Sequence, residues 1–220
     1  RAVEQVACAR ANSTILMTEN EAALVRAAIP EARIEVIANG VDFEFWHPTD
    51  VAVSKPSIAF VGQLDYFPNA DGVAWFVREI FPPLRADVPE LEFVIAGRNP
   101  VPQVNQLARI EGVRILASPE DVRPVLASAT AVVVPLRLAR GLQNKVLEAL
   151  AMGKTVLATP QVAKTFGGSV PTGVTVCETT DDWLSALRAA TPQPRAEIRD
   201  SLRQAYDWDI AADRLSSLLE

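Results

Sequence analysis

Lys145 and Glu148 are the two residues whose types and spacing could do chemistry together. They stand in the run Pro135 to Gly153, PLRLARGLQNKVLEALAMG, which begins where an apolar strand ends and reads as a helix from Gly141 to Met152. Leu142, Val146, Ala149 and Leu150 share its apolar face, and Lys145 and Glu148, three apart, lie side by side on the flank. A helix N-terminus offers free N–H groups and a positive dipole end, which suits phosphate. The dipole supplies only ~0.3–1 kcal/mol at an exposed site. A charge-assisted hydrogen bond from a lysine adds roughly 1.5–3 kcal/mol, so Lys145 would decide the affinity. Glu148, a turn deeper, is badly placed for phosphate but suited to accept from ribose hydroxyls. An ordinary surface Lys–Glu pair has the same spacing, and the residues alone leave both readings open.

Other chemistries find less support. Gly153-Lys154-Thr155 resembles the tail of a P-loop, but Glu148 stands where that motif needs glycine, and the segment follows a helix instead of opening one. No G-x-G-x-x-G follows a strand, which weakens a dinucleotide-dependent dehydrogenase. Cys8 and Cys177 are far apart, and the single histidine, His47, sits in a Phe-Trp-His-Pro stretch that reads as structural linker, so a zinc site is not expected. A net charge of −6 over 220 residues carries no basic footprint for nucleic acid. Apolar runs such as Ala129 to Leu136 are too short to span a bilayer.

The elements that must position Lys145 and Glu148 alternate. Strand-like runs stand at 57–62, 91–96, 113–116, 130–134, 155–158 and 174–176, with helical runs at 70–81, 102–111, 119–128, 141–152 and 181–190. Pro82-Pro83 disfavours simple continuation of the first helix. Unbroken apolar strands alternating with helices predict an α/β fold, a Rossmann-like doubly wound parallel sheet covered on both faces. Ligands in such sheets bind beyond the carboxyl ends of the strands. Residues 1–38 add strand-like runs at 14–17 and 33–37 around a helix at 19–28. An Asn39-Gly40 turn follows, then an extended linker to 56, and the chain closes with helices over 195–219 whose apolar face holds Trp208, Leu215, Leu218 and Leu219.

Asn39-Gly40-Val41-Asp42, Phe60-Val61-Gly62 and Lys145-Val146-Leu147-Glu148-Ala149-Leu150-Ala151-Met152-Gly153 occur in the order found in family 4 glycosyltransferases of the GT-B fold, and the chain resembles that family over essentially its whole length. Asp65-Tyr66-Phe67-Pro68-Asn69 and Arg140-Gly141-Leu142-Gln143-Asn144-Lys145 are similar to the sugar transferases associated with exosortase (PEP-CTERM) exopolysaccharide loci. The resemblance implies four segments: 1–38 as the remnant of an N-terminal acceptor domain, 39–56 as interdomain linker, 57–205 as the nucleotide-sugar-binding domain and 206–220 as a closing helix. Most of the acceptor domain, and with it much of the catalytic machinery, is expected outside this chain, which would then bind nucleotide without turnover.

The same resemblance implies the roles. Lys145, Gly141 and Arg140, with Gly62, Gln63 and Asn69, would face the donor diphosphate. Glu148 would hold the ribose, and Gly97, Arg98, Ser118, Pro119 and Glu120 would border the base or line the cleft. The reaction would move a sugar from a UDP- or GDP-type donor to an acceptor hydroxyl with retention, without cofactor or metal. The partners would be the nucleotide sugar, the rest of the protein and a sugar or lipid-linked acceptor, in the cytoplasm and against the inner membrane. Two departures matter. Gln63 and Asn69 stand where many members carry arginine and lysine, and Arg140 stands where the family's E-x7-E pattern has its first glutamate. Those three residues favour an alternative, a non-catalytic nucleotide-binding or assembly module. A nucleotide-sugar epimerase of the same fold is a further alternative, for which no acid–base residues are found.

Overall fold

The computed structural model describes residues 2–51, 55–167 and 169–218. The chain begins with α1 (Ala2–Arg10), β1 (Thr14–Leu16), α2 (Glu19–Ala28) and β2 (Ile34–Val36). β1 and β2 pair in parallel with α2 as their crossover. The Thr18 hydroxyl caps α2 by accepting from the Glu21 N–H at 3.2 Å.

Six further strands follow: β3 (Ser57–Val61), β4 (Glu92–Gly97), β5 (Val113–Ala117), β6 (Ala131–Val134), β7 (Val156–Ala158) and β8 (Val174–Val176). They form one sheet in the order β5-β4-β3-β6-β7-β8, with every pairing parallel. The chain winds outward from β3 to one edge, then returns to β6 and winds to the other. This is the predicted doubly wound α/β fold, with its reversal point between β3 and β6. The helices are α3 (Phe67–Trp75), α4 (Phe81–Asp87), α5 (Pro102–Asn105), α6 (Arg123–Ser128), α7 (Asn144–Ala151), α8 (Pro160–Ala163), α9 (Thr180–Ala189), α10 (Ala196–Tyr206) and α11 (Trp208–Ser217).

Three helices depart from the periodicity, each for a local reason. The chain does not break at Pro82-Pro83. A π-helical stretch, Phe76–Ile80, joins α3 to α4 just ahead of the prolines, and this local change of helical turn accommodates their missing N–H groups without breaking the chain. α6 starts at Arg123, not Pro119, because the Asp121 carboxylate accepts from the Arg123 N–H at 2.9 Å and holds 119–122 as a loop. α7 starts at Asn144, not Gly141: Gly141 has φ of 64°, a left-handed conformation that stops a helix from forming there.

α7 buries Val146, Leu147, Ala149, Leu150 and Ala151 in the core, so its register on the sheet is fixed. α10 secures the other end: Arg199 donates to the carbonyls of Phe43 (2.7 Å) and Trp46 (2.6 Å) and to that of Ala151. Phe43, 4% exposed, lies under the Arg199 and Arg203 guanidinium groups. The beginning of the linker, predicted as extended, is therefore a clamped turn. His47 stays in it, its Nδ1 within 3.0 Å of the Pro48 carbonyl. At the closing helix, Trp208 packs on Asn39-Gly40, an irregular stretch with no turn where one was expected, so closely that a Cβ at Gly40 would lie 2.6 Å from the Trp208 Cα. The apolar face of α11 stays open: Trp208, Leu215, Ile15, Met17 and Ile37 line a hollow of about 340 Å³. Leu219 lies outside the described residues.

Candidate functional site

β3 and β6 pair only at Ile58–Ala131 and Ala59–Val132. Beyond those pairs the two strands are no longer hydrogen-bonded to each other, and it is at such a reversal point that a doubly wound sheet opens its ligand crevice. Gly62 ends one wall. On the other, loop 135–143 leads into α7. The second turn of α3 closes against that loop: Asp71 grips Arg137 through two bonds, of 3.0 and 2.5 Å. A Cβ at Gly72 would lie 2.7 Å from the Pro135 carbonyl oxygen, so only glycine permits this approach.

Lys145 reaches into the crevice from the first turn of α7. Its Nζ donates to Asn69 Oδ1 at 2.6 Å and lies 4.6 Å from the centroid of the Phe60 ring. Asn69 is itself fixed, because its Nδ2 donates to the Gln63 carbonyl at 2.8 Å. A Cβ at Gly62 would lie 2.9 Å from the Lys145 Nζ, so that glycine leaves the lysine its room. Burial pushes the Lys145 ammonium down to about 8, against a smaller upward pull from Glu148. Burial raises Glu148, and Lys145 opposes that shift. Among the described residues the Glu148 carboxylate makes no hydrogen bond, so it can accept from a ligand. A partly desolvated lysine and an unengaged carboxylate on one helix flank suit a ligand with an anionic group followed by hydroxyls.

The other expected residues fall in three places. Asn69 does not face the crevice as a free amide. It is 4% exposed and spends both ends on Lys145 and Gln63, which makes it the holder of the lysine. Gly97 is buried, and a Cβ there would lie 1.7 Å from the Gly62 carbonyl oxygen. It is a packing glycine between β3 and β4 more than a cleft wall. Gln63, Arg98, Ser118 and Glu120 are exposed along the carboxyl edge, with Pro119 half-buried among them. The Gln63 side chain, aided by Asn99, holds the Asp65 carboxyl below the usual range. Ser118 and Asn99 both adopt left-handed φ, 50° and 54°, at the ends of β5 and β4. Such backbone is held only where its surroundings enforce it. Arg140 and Gly141 stand apart from Lys145, on the loop that faces α2.

That side holds residues that motif reasoning missed. A hollow of about 510 Å³ is lined by Thr18, Asn20, Glu21, Arg140, Gly141 and Lys164, among others. No sequence signal links positions 18–21 to 140 or 164; the fold alone brings them together. Among the described residues no cluster of three or more His, Cys, Asp or Glu could hold a metal ion, and no helix is long and apolar enough to cross a membrane.

Solved structures of known proteins share this architecture. Sucrose-phosphate synthase from Thermosynechococcus elongatus superposes with a TM-score of 0.75 at 18% identity, covering 99% of this chain and 60% of its own. HepE from Anabaena, solved with UDP and glucose, gives 0.77 at 13% identity, covering 100% and 66%. A variant of TarM from S. aureus, solved with Fondaparinux, alpha-GlcNAc-glycerol and UDP, gives 0.78 at 14%, covering 99% and 46%. The chain thus spans about half to two thirds of the length of these structures, and at such identities the likeness is one of fold. Curated protein sequences gave no match. Residues 55–190, more than half of the chain, match the family described as glycosyl transferases group 1, and the chain belongs to that family.

Proposed function

We propose that this chain is the donor-binding half of a glycosyltransferase that moves a sugar from a nucleoside-diphosphate sugar to an acceptor hydroxyl. The observation that carries the proposal is Lys145, held by Asn69 in the crevice at the reversal point, with Glu148 unengaged one turn along α7. Lys145, the α7 N-terminus and Gly62 face the diphosphate, Glu148 takes the ribose, and the carboxyl edge at Arg98 and Ser118–Glu120 borders the base. No metal or cofactor takes part. Solved relatives bound to UDP favour a uridine nucleotide as the first to try.

The resemblance of Asp65–Asn69 and Arg140–Lys145 to exosortase-associated transferases supports a role in exopolysaccharide assembly in the cytoplasm, on a sugar or lipid-linked acceptor at the inner membrane, with retention of configuration. Acceptor binding and turnover require the remainder of a two-domain enzyme, so this chain binds nucleotide without transfer. Calorimetric titration with UDP, GDP and ADP tests the proposal. Saturable binding of one of them is the expected result, and no binding at millimolar nucleotide would sink it.

A further inference from the structure

We infer that Arg137 is a positioning residue for the donor site: its ion pair with Asp71 latches the loop before α7 onto α3 and so sets where Lys145 meets a diphosphate. This rests on the donor-binding reading above. Two ties run from this region to α3. The Lys145 Nζ donates to Asn69 Oδ1, in the first turn of that helix, at 2.6 Å. Two positions on, the Asp71 carboxylate accepts from Arg137 Nε at 3.0 Å and from Nη2 at 2.5 Å. Helix α3 therefore holds both the tip of the lysine and the loop that leads to it. A guanidinium bound at two points fixes orientation as well as distance, and such paired geometry is what lets a partly exposed ion pair matter. Asp71 keeps only 20% of its side chain exposed, against 51% for Arg137.

The latch falls where the loop has little else to hold it. Ahead of Arg137, Leu136 is buried, its carbonyl accepts from the Thr159 hydroxyl at 2.5 Å, and Gly72 lets α3 approach the Pro135 carbonyl. After it, Leu138 is exposed, and the Gln143 amide donates within the loop, to the Arg140 and Gly141 carbonyls at 3.0 and 3.2 Å. Among the described residues no side-chain hydrogen bond ties 138–143 to another element. Asn144 has one, from the Asn39 amide at 3.2 Å. The buried face of α7 begins only at Val146, so Lys145 takes its place from the loop ahead of it as well as from Asn69. With Nε and Nη2 both engaged by Asp71, the Arg137 guanidinium acts on a ligand through Lys145.

The test is a set of calorimetric titrations on this chain with whichever of UDP, GDP and ADP binds wild type. Arg137→Met, Asp71→Asn and the exchanged pair Asp71→Arg with Arg137→Asp are compared with it. Arg137→Met keeps the length of the side chain without its charge and should weaken binding about fivefold. Asp71→Asn keeps the shape of the carboxylate, so it folds, and it separates a latch from a ligand. It frees the guanidinium and removes an anion, so an Arg137 that touched phosphate itself would bind better, whereas a loosened latch binds about threefold worse. The exchanged pair restores the attraction and should return to within about twofold of wild type. The pH profile of Asp71→Asn supplies a readout that a loss of stability alone does not move. Burial holds the Lys145 ammonium down at about 8, with Glu148 as the charged group bearing on it. Loss of the Asp71 charge would by itself lower Lys145 further, so affinity that persists to higher pH than in wild type marks water admitted to the lysine. Binding of Arg137→Met equal to wild type overturns the latch. So does Asp71→Asn binding as well as wild type, an exchanged pair without recovery, or an unshifted profile. Failure of all three nucleotides to bind wild type removes the donor-binding reading itself, and the latch with it.

Discussion

Two lysines stand at opposite ends of α7, and burial pushes both down to about 8. Lys154, just past the C-terminus, is 1% exposed and donates to the carbonyls of Ala127 at 2.9 Å and Pro192 at 2.6 Å. Around it the joint is closed, because Gly153 turns with φ of 72° and its carbonyl accepts from the Arg195 N–H at 2.9 Å. Lys145 has three donors and, among the described residues, one acceptor, Asn69 Oδ1. Its remaining N–H groups have no acceptor among the described residues. The same physical cause thus perturbs a residue that fastens helices and a residue that awaits an anion. The lesson is that a shifted basicity does not mark a site; the unspent donors do.

Replacing each lysine should separate the two regions, and the largest effect is expected at Lys145. Lys145→Ala should weaken nucleotide binding tenfold to about a hundredfold, as loss of roughly 1.5–3 kcal/mol of charge-assisted bonding requires. Stability should hardly change, since the burial that disfavours the Lys145 ammonium offsets the bond to Asn69 that is lost. Lys154→Met should do the reverse. It leaves the buried Ala127 carbonyl and the half-buried Pro192 carbonyl without that donor and costs about 1–3 kcal/mol in urea denaturation, with nucleotide affinity within twofold of wild type. If both variants lost binding, or both lost stability, the contrast between the two ends of α7 would collapse.

Much of this was legible in the sequence because it is local. Ala131–Val134 is an unbroken apolar strand by composition, and Lys145 and Glu148 share a helix flank by spacing. What misled the reading was also local but lay outside periodicity. Gly141 and the Asp121 carboxylate delay the starts of α7 and α6, which apolar spacing does not register. The π stretch at Phe76–Ile80 keeps Phe76, Val77 and Ile80 buried, so the apolar pattern runs on across it unannounced. The rest depends on chain folding. Asn69 stands 76 positions from Lys145, and only the sheet reversal makes the asparagine its holder. Glu21 reaches Gly141 only because α2 docks beside the loop before α7.

Titration offers a subtler separation. The ammonium form of Lys145 binds anions, so affinity should be fully present below about 8 and fall several-fold as pH rises to about 9, as Kd measurements at both ends would record. Lys145→Arg should flatten that profile, because a guanidinium stays charged. Lys154 acts on stability instead. Its folded pKa, about 8, lies below its ordinary 10.5. Between those values the unfolded chain holds the proton that the folded one has released, so unfolding free energy rises with pH across that window. Denaturation of Lys154→Met should show a shallower rise, while its nucleotide profile should match wild type.

The smallest expected effect concerns the tether of Lys145. Asn69→Ala removes a neutral partner and leaves the ammonium charged and in the crevice. Of the two hydrogen bonds that Asn69 makes, the one to Lys145 bears on the nucleotide, about 0.5–1.5 kcal/mol, so nucleotide affinity should fall a few-fold, well short of the loss in Lys145→Ala. The two losses should not add, because the tether acts only through the lysine. In a double-variant cycle, Asn69→Ala should therefore cost nothing further once Lys145 is alanine. An undiminished cost in that background would mean that Asn69 touches the nucleotide on its own account. The crevice would then hold two independent ligands for the diphosphate, and the contrast with Lys154, which has two carbonyl acceptors, would rest on Asn69 as much as on the lysine.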